Sequence, residues 1–175
     1  MRVFRAILGA ALLVALVACG GESDGPPASA NKFRSYYGPR VTQVVVNKGQ
    51  RRLYLLHDRQ VLKQYKIELG FEPTGHKARQ GDGKTPEGVY FIDRMNPSSL
   101  YHLSVGVSYP GPADRERARL MGVDPGGDIM VHGRGAYGNK VRRGDWTAGC
   151  IAVSDGEIEE IFAMLRPGVP IVIYP

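Results

Sequence analysis

A mainly β domain carrying one or two helices is the fold class this sequence predicts, and three observations predict it. Twenty-three glycines and twelve prolines in 175 residues punctuate the chain too often for a helical bundle. Between them lie short runs rich in Val, Ile, Leu and Tyr, each the length of a strand rather than of a helix. Only near the C-terminus does an apolar three- and four-residue period come with a full set of helix-end signals. With 43% hydrophobic and 23% charged residues, the chain supports one domain with a real core plus short appendages.

Residues 1–18 have Arg2 and Arg5 ahead of an apolar run to Ala18, too short to span a bilayer and typical of an export signal. "LVAC" at 16–19 resembles a bacterial lipobox, which implies cleavage before Cys19 and a lipid on that thiol. The alternative is a plain secretory signal in which Cys19 is incidental. Several buried acyl chains would make the protein membrane-anchored rather than freely secreted. Gly20 after the cysteine, in place of aspartate, favours the outer membrane of a Gram-negative cell, on its periplasmic side. Residues 19–39 are rich in Gly, Ser, Pro and Ala and read as a flexible tether, leaving 40–175 as the folded domain.

In the domain, Thr42–Val46 and Arg52–His57 are β runs joined by "NKGQ", a Gly-containing hairpin connection. "HDRQ" turns the chain into a third strand, Val61–Leu69, which makes a meander. Gly88–Asp93, Asp128–Gly133, Gly149–Val153 and the closing "VPIVIYP" complete seven predicted strands. Ser154 with Glu157 three residues on forms a capping box, and Ile158, Ile161, Phe162 and Leu165 then line one helical face ending at "PG". A second, weaker helix is predicted in "PADRERARLMG", and there is no internal repeat.

Removing residues 1–18 lowers Lys+Arg from 23 to 21 against 17 Asp+Glu, so the mature charge is +4. That charge suits a polyanionic wall or an anionic lipid surface. Nucleic acid is not expected as a partner, because no aromatic-basic interleaving accompanies the charge. If Cys19 is lipidated, Cys150 is left as one free thiol in an oxidising compartment, with no disulfide open to it.

A cysteine nucleophile needs a base, an orienting group for that base, and N–H donors for the oxyanion. "TAGC" enters a β run and offers the N–H groups of Ala148, Gly149 and Cys150, with Gly149 allowing close approach of a carbonyl. His132, at the end of a strand 18 positions earlier, is the candidate base, and the Gly133 carbonyl its candidate orienting group. The competing reading makes Cys150 a small core residue and His132 an ordinary strand-end histidine. A zinc site from His76, His102, His132 and Cys150 fits by ligand type, but no pair has metal-site spacing.

"HG", thirteen residues, then "TAGCIAVSD" resembles the catalytic motif of YkuD-type L,D-transpeptidases. "GDGKTPEGVYFI" and "YHLSVGVSYPGPADRERARLMGVDPGGDIMVHG" resemble that family's upstream and middle segments, so the likeness runs from Val41 to Pro175. It implies a mixed β sandwich or barrel-like domain with a helix after the cysteine strand. The implied chemistry is attack of Cys150 on the diaminopimelate–D-Ala bond of a peptidoglycan stem peptide, with transfer of the acyl group to an amine. The acceptor would be a second stem, a wall-anchored lipoprotein's lysine, or water in the carboxypeptidase and hydrolase alternatives. A non-catalytic peptidoglycan-binding lipoprotein is the third alternative.

The resemblance further implies His132 as base and then acid, Gly149 and Cys150 N–H groups at the oxyanion, and Thr147 as support. It implies no metal or organic cofactor, and a monomer is expected. Ala152 departs from the family, where arginine or asparagine is common two residues after the cysteine. The substitute cations nearest in sequence are Arg134, Arg142 and Arg143, unless these only decorate a solvated loop. His102 is a candidate site-lining residue or a structural hydrogen-bonding one. Trp146 would stack on substrate or act as a packing anchor. Thr85–Gly88 reads as a turn bracing the site wall, while His76 and His57 read as solvated.

Overall fold

Strand order follows from one long strand that serves two neighbours. The computed structural model describes residues 31–175 apart from 139, 142 and 143. The segment expected to be an export signal, Cys19, Arg142 and Arg143 therefore lie outside the described residues. The elements are β1 (Gln43–Asn47), β2 (Arg52–His57), β3 (Gln60–Lys66), β4 (Gly88–Asn96), β5 (Ser104–Val107), α1 (Pro112–Met121), β6 (Met130–His132), α2 (Gly135–Gly138), β7 (Ile151–Ala152), α3 (Asp155–Met164) and β8 (Pro170–Tyr174). The first half of β4 pairs with β8 and its second half with β5, carrying one sheet through the order β3-β2-β1-β8-β4-β5-β6-β7. β1 with β8 and β6 with β7 are parallel, and the other pairs are antiparallel.

The sheet curls until its two ends meet. Beyond β3, Glu68 exchanges backbone hydrogen bonds with Ala152 at 2.9 and 2.8 Å, and Gly70 bridges Thr147. The mixed, barrel-like β domain expected from the sequence is therefore the fold. Val44, Val46, Leu53, Leu55, Val105, Val131, Ile151 and Ile171 fill its interior together with Ile158 and Ile161 of α3, which packs against β5 and β6. The Ser154–Glu157 capping box forms as predicted, with Glu157 N–H donating to Ser154 Oγ at 3.3 Å and Ser154 N–H to Glu157 Oε2 at 2.8 Å.

Eight strands replace the seven expected. β5 is the addition: "SVGV" is too short to show a period, and all four residues are buried. The third strand, expected to reach Leu69, stops at Lys66, because the chain then turns to pair with β7 instead of β2. The short α2 is likewise new. Residues 31–39, expected in the tether, lie against the domain: Arg34 pairs with Glu159 and Glu160, and Lys32 Nζ donates to the carbonyls of Pro97 and His102.

Candidate active site

Side chains alternate across a strand, so the core residues identify the opposite face. Leu103, Val105, Val107, Val131 and Ile151 point into the core. Ser104, Gly106, Met130 and His132 therefore share the other face of β5 and β6. Val131 is opposite Ile151 and His132 opposite Ala152. Cys150, two residues before Ala152, returns to the His132 face. Parallel pairing of β6 with β7 thus brings thiol and imidazole together from 18 positions apart.

His132 is held on three sides. Its Nδ1 lies 2.6 Å from the Gly133 carbonyl, so that nitrogen carries the proton and Nε2 keeps a free lone pair. The Tyr101 ring lies over the imidazole with centroids 4.5 Å apart, and Trp146 meets it edge-on at 5.8 Å. Burial pushes the His132 pKa down, against the upward pull of the Gly133 hydrogen bond, so the ring stays neutral. A Cβ on Gly133 would lie 2.6 Å from Asp155 Oδ1 and 2.8 Å from the Tyr101 carbonyl. Asp155 in turn accepts the N–H groups of Arg134 and Gly135, tying the segment after His132 to the start of α3.

Cys150 Sγ donates to the Asp128 carbonyl at 3.5 Å. Burial raises its pKa, and the Met130 N–H together with Lys77 and Arg94 only partly offsets the rise. The resting pair is thus thiol and neutral imidazole, not an ion pair. Thr147 Oγ1 donates to the Cys150 carbonyl at 2.7 Å and accepts the Gly149 N–H at 3.1 Å. In this resting arrangement the Gly149 N–H, expected at the oxyanion, is engaged by a hydroxyl two residues back, a local turn that serine and threonine favour.

Gly149 has φ +132°, and a Cβ there would lie 2.6 Å from the Lys84 carbonyl. Its glycine is thus required by the strand-preceding loop behind the nucleophile. That loop is strongly built. Asp82 accepts from Lys77 Nζ and the N–H groups of Ala78, Arg79 and Lys84. Burial opposes its ionisation, yet these donors outweigh it and hold the carboxyl down at about 2. Next to it, buried Lys48 donates to Gly75 O at 2.6 Å, Thr85 O at 3.0 Å and Glu87 Oε1 at 2.8 Å, while Thr85 Oγ1 accepts the Gly70 N–H. The Thr85–Gly88 turn does brace the wall, through Lys48, which sequence reading passed over.

The other candidates divide. Trp146 packs on His132 and donates Nε1–H to Glu68 at 2.7 Å. Arg134 lies over the Trp146 ring and donates to Glu68, to the Gly138 carbonyl at 3.1 and 2.8 Å, and to the Val141 carbonyl at 3.0 Å. Its guanidinium, expected to bind substrate, is thus engaged within the protein in this structure. His102 turns to Glu159 of α3 at 2.8 Å, and its neighbour Tyr101 takes the place beside His132. His76, expected in solvent, accepts the Glu87 N–H and pairs with Asp114. The candidate zinc set is thus not assembled among the described residues. A cleft of about 720 Å³ has Ala152 in its lining with Arg51, Glu68, Arg134, Asp145 and Glu157, but neither Cys150 nor His132.

Sequence reading missed three residues of this face. Tyr101 opens the middle segment that resembles the family but was not singled out there, and Arg94 lies outside the quoted motifs. Ser104, 1% exposed and opposite His132 in the β5–β6 register, has the one buried side-chain polar atom without a hydrogen-bond partner among the described residues.

The model of the YkuD family, the L,D-transpeptidase catalytic domain, matches residues 42–173. The chain belongs to this family. YafK of Escherichia coli (strain K12), provisionally named an L,D-transpeptidase, is 29% identical over 169 residues, covering 89% of this chain and 62% of that protein. The helical cell shape determining protein Pgp2 from Campylobacter jejuni superposes with a TM-score of 0.60 at 27% identity, over 83% of this chain and 51% of that one. An L,D-transpeptidase from Mycobacterium smegmatis has the same fold, with a TM-score of 0.52 at 16% identity over 79% of this chain and 60% of that one. This L,D-transpeptidase-family chain therefore spans less than two thirds of the length of these relatives.

Proposed function

We propose that the protein is a cysteine acyltransferase of the bacterial cell wall, acting on peptidoglycan stem peptides. The observation that carries this reading is the shared face of Cys150 and His132, with Nδ1 anchored on the Gly133 carbonyl and Nε2 left as base. Cys150 Sγ attacks the carbonyl carbon of the diaminopimelate–D-Ala bond while its proton passes to His132 Nε2. The oxyanion takes the Cys150 N–H, joined by the Gly149 N–H as Thr147 releases it. The C–N bond breaks, His132 returns the proton to the departing D-alanine amine, and a thioester remains on Cys150. An amine acceptor then gives up a proton to His132, attacks the thioester and frees the thiol.

Burial supports this order of events. It keeps His132 neutral and Cys150 protonated, so the base is competent before substrate arrives and the thiol is activated during attack. The likeness to Pgp2, described as a determinant of helical cell shape, supports a wall substrate here also. Export, lipidation at Cys19 and residence on the periplasmic face of the outer membrane belong to the same reading.

Covalent capture tests the nucleophile. A carbapenem should add its mass to the intact protein, and Cys150→Ala should acquire none. An unlabelled wild type, or a labelled Cys150→Ala, overturns the assignment. Muropeptide profiles then identify the acceptor: new dimers mean transfer to a stem, and tripeptides mean transfer to water.

A further inference from the structure

Arg94 is a cation that the sheet carries onto the face of Cys150. On the Cys150 face, Gly106 is opposite Met130. Met130 precedes Val131, the partner of Ile151, so Cys150 follows Met130 in the same cross-strand row. Strand β4 reaches this row through a register shift between Ile92 and Met95, which sets both Asp93 and Arg94 against Gly106. A bulge of this kind re-aims side chains. A Cβ on Gly106 would lie 2.1 Å from Asp93 Oδ1, 2.6 Å from Arg94 Cγ and 3.1 Å from Arg94 Cζ. The Arg94 side chain therefore lies flat across that glycine. Its Nη2 ends 3.5 Å from Met130 Sδ and 2.9 Å from Asp128 Oδ1. The carbonyl of the same Asp128 accepts the Cys150 thiol. Met130, which the guanidinium meets, lies on the strand next to the one Cys150 leads into, and neighbouring strands are about 4.8 Å apart.

We propose that Arg94 is a specificity-determining residue that receives a substrate carboxylate beside the Cys150 thiol. Its fork of parallel donors matches a carboxylate. Two carboxylates hold it at present: Asp93 meets Nη1 at 2.9 Å and stays beside it, while Asp128 meets Nη2 at 2.9 Å but is 96% exposed, and solvent screens that second pair. A substrate carboxylate can take the place of Asp128 without leaving a buried charge behind. Arg134, one of the cations singled out by sequence, has no such freedom, because Glu68 and two carbonyls hold it. The charge of Arg94 favours the thiolate, and that of its partner Asp128 opposes it more strongly. The identity of the carboxylate, on a stem peptide, rests on the function proposed above; the position of the cation does not.

Two alkylating agents of like size separate these points. Iodoacetate is an anion and iodoacetamide is neutral, and both react at Cys150 with loss of iodide and of the thiol proton. The ratio of their rates, followed by peptide mapping of Cys150 in the full chain, should fall about threefold to tenfold in Arg94→Gln. Arg94→Lys should keep most of the ratio. Gly106→Ala, which displaces the side chain without removing the charge, should lower it. An unchanged ratio in Arg94→Gln overturns the proposal. In turnover, Arg94→Gln should raise KM for a tetrapeptide stem with a free terminal carboxylate and leave its amidated counterpart unaffected. Equal effects on both stems overturn the carboxylate assignment. If wild type turns over neither stem, the wall-substrate reading fails while the alkylation ratio still decides Arg94.

Discussion

Gly149→Ala measures how tightly the loop before β4 backs the nucleophile. Two penalties combine there. The first is backbone strain: φ is +132°, a region that L side chains rarely adopt, worth about 1–3 kcal/mol. The second is steric: the new Cβ would lie 2.6 Å from the Lys84 carbonyl oxygen, and relieving such overlap costs about 1–3 kcal/mol. Gly144→Ala isolates the first, since Gly144 has φ +128° and, among the described residues beyond its chain neighbours, no atom lies within 4 Å of its would-be Cβ. Urea unfolding at neutral pH should therefore show Gly149→Ala less stable than Gly144→Ala by about 1–3 kcal/mol. Iodoacetamide should also label Cys150 faster in Gly149→Ala, because the thiol loop must move to admit the methyl group. Equal stability of the two variants would refute the reasoning, showing that the Lys84 carbonyl does not confine the nucleophile loop.

Two further outcomes follow from the electrostatics. Burial raises the Cys150 pKa, so the midpoint of its iodoacetamide reactivity should lie above the free-cysteine value of about 8.5; a midpoint below 7 would reveal a thiolate–imidazolium pair and sink the neutral-pair mechanism. For Asp82, the folded pKa is depressed from 3.8 to about 2. Its contribution, about 2 kcal/mol, is therefore present above pH 4 and lost as pH falls toward 2. Asp82→Asn should lower the urea midpoint at neutral pH and converge on wild type near pH 2, and a constant difference across that range would contradict the assignment.

Much of the fold is legible locally. The capping box at Ser154 and Glu157, the Gly-rich hairpins and the apolar runs of β1, β2, β4 and β8 are short-range signals, and each formed close to where the sequence marks it. β5 escaped because four residues buried on both faces, one of them glycine, carry no alternation to read. The order Gly133 after His132 and Gly149 before Cys150 was likewise visible, but the reason for each glycine was not. Gly133 is confined by Asp155 and Tyr101, and Gly149 by Lys84, all contacts that no local window contains.

By itself, the sequence determined the family and the β-rich architecture and singled out the candidate nucleophile and base, because motif residues and turn chemistry are written within a few positions of one another. Tertiary structure alone decided which charges serve the site. It pairs Arg134 with Glu68, sends His102 to Glu159 and buries Lys48 beneath Thr85. It also carries Arg94 across Gly106 toward Cys150. A charge is free or committed according to what folds beside it, and its hydrogen-bond partners here lie 36 to 66 residues away along the chain.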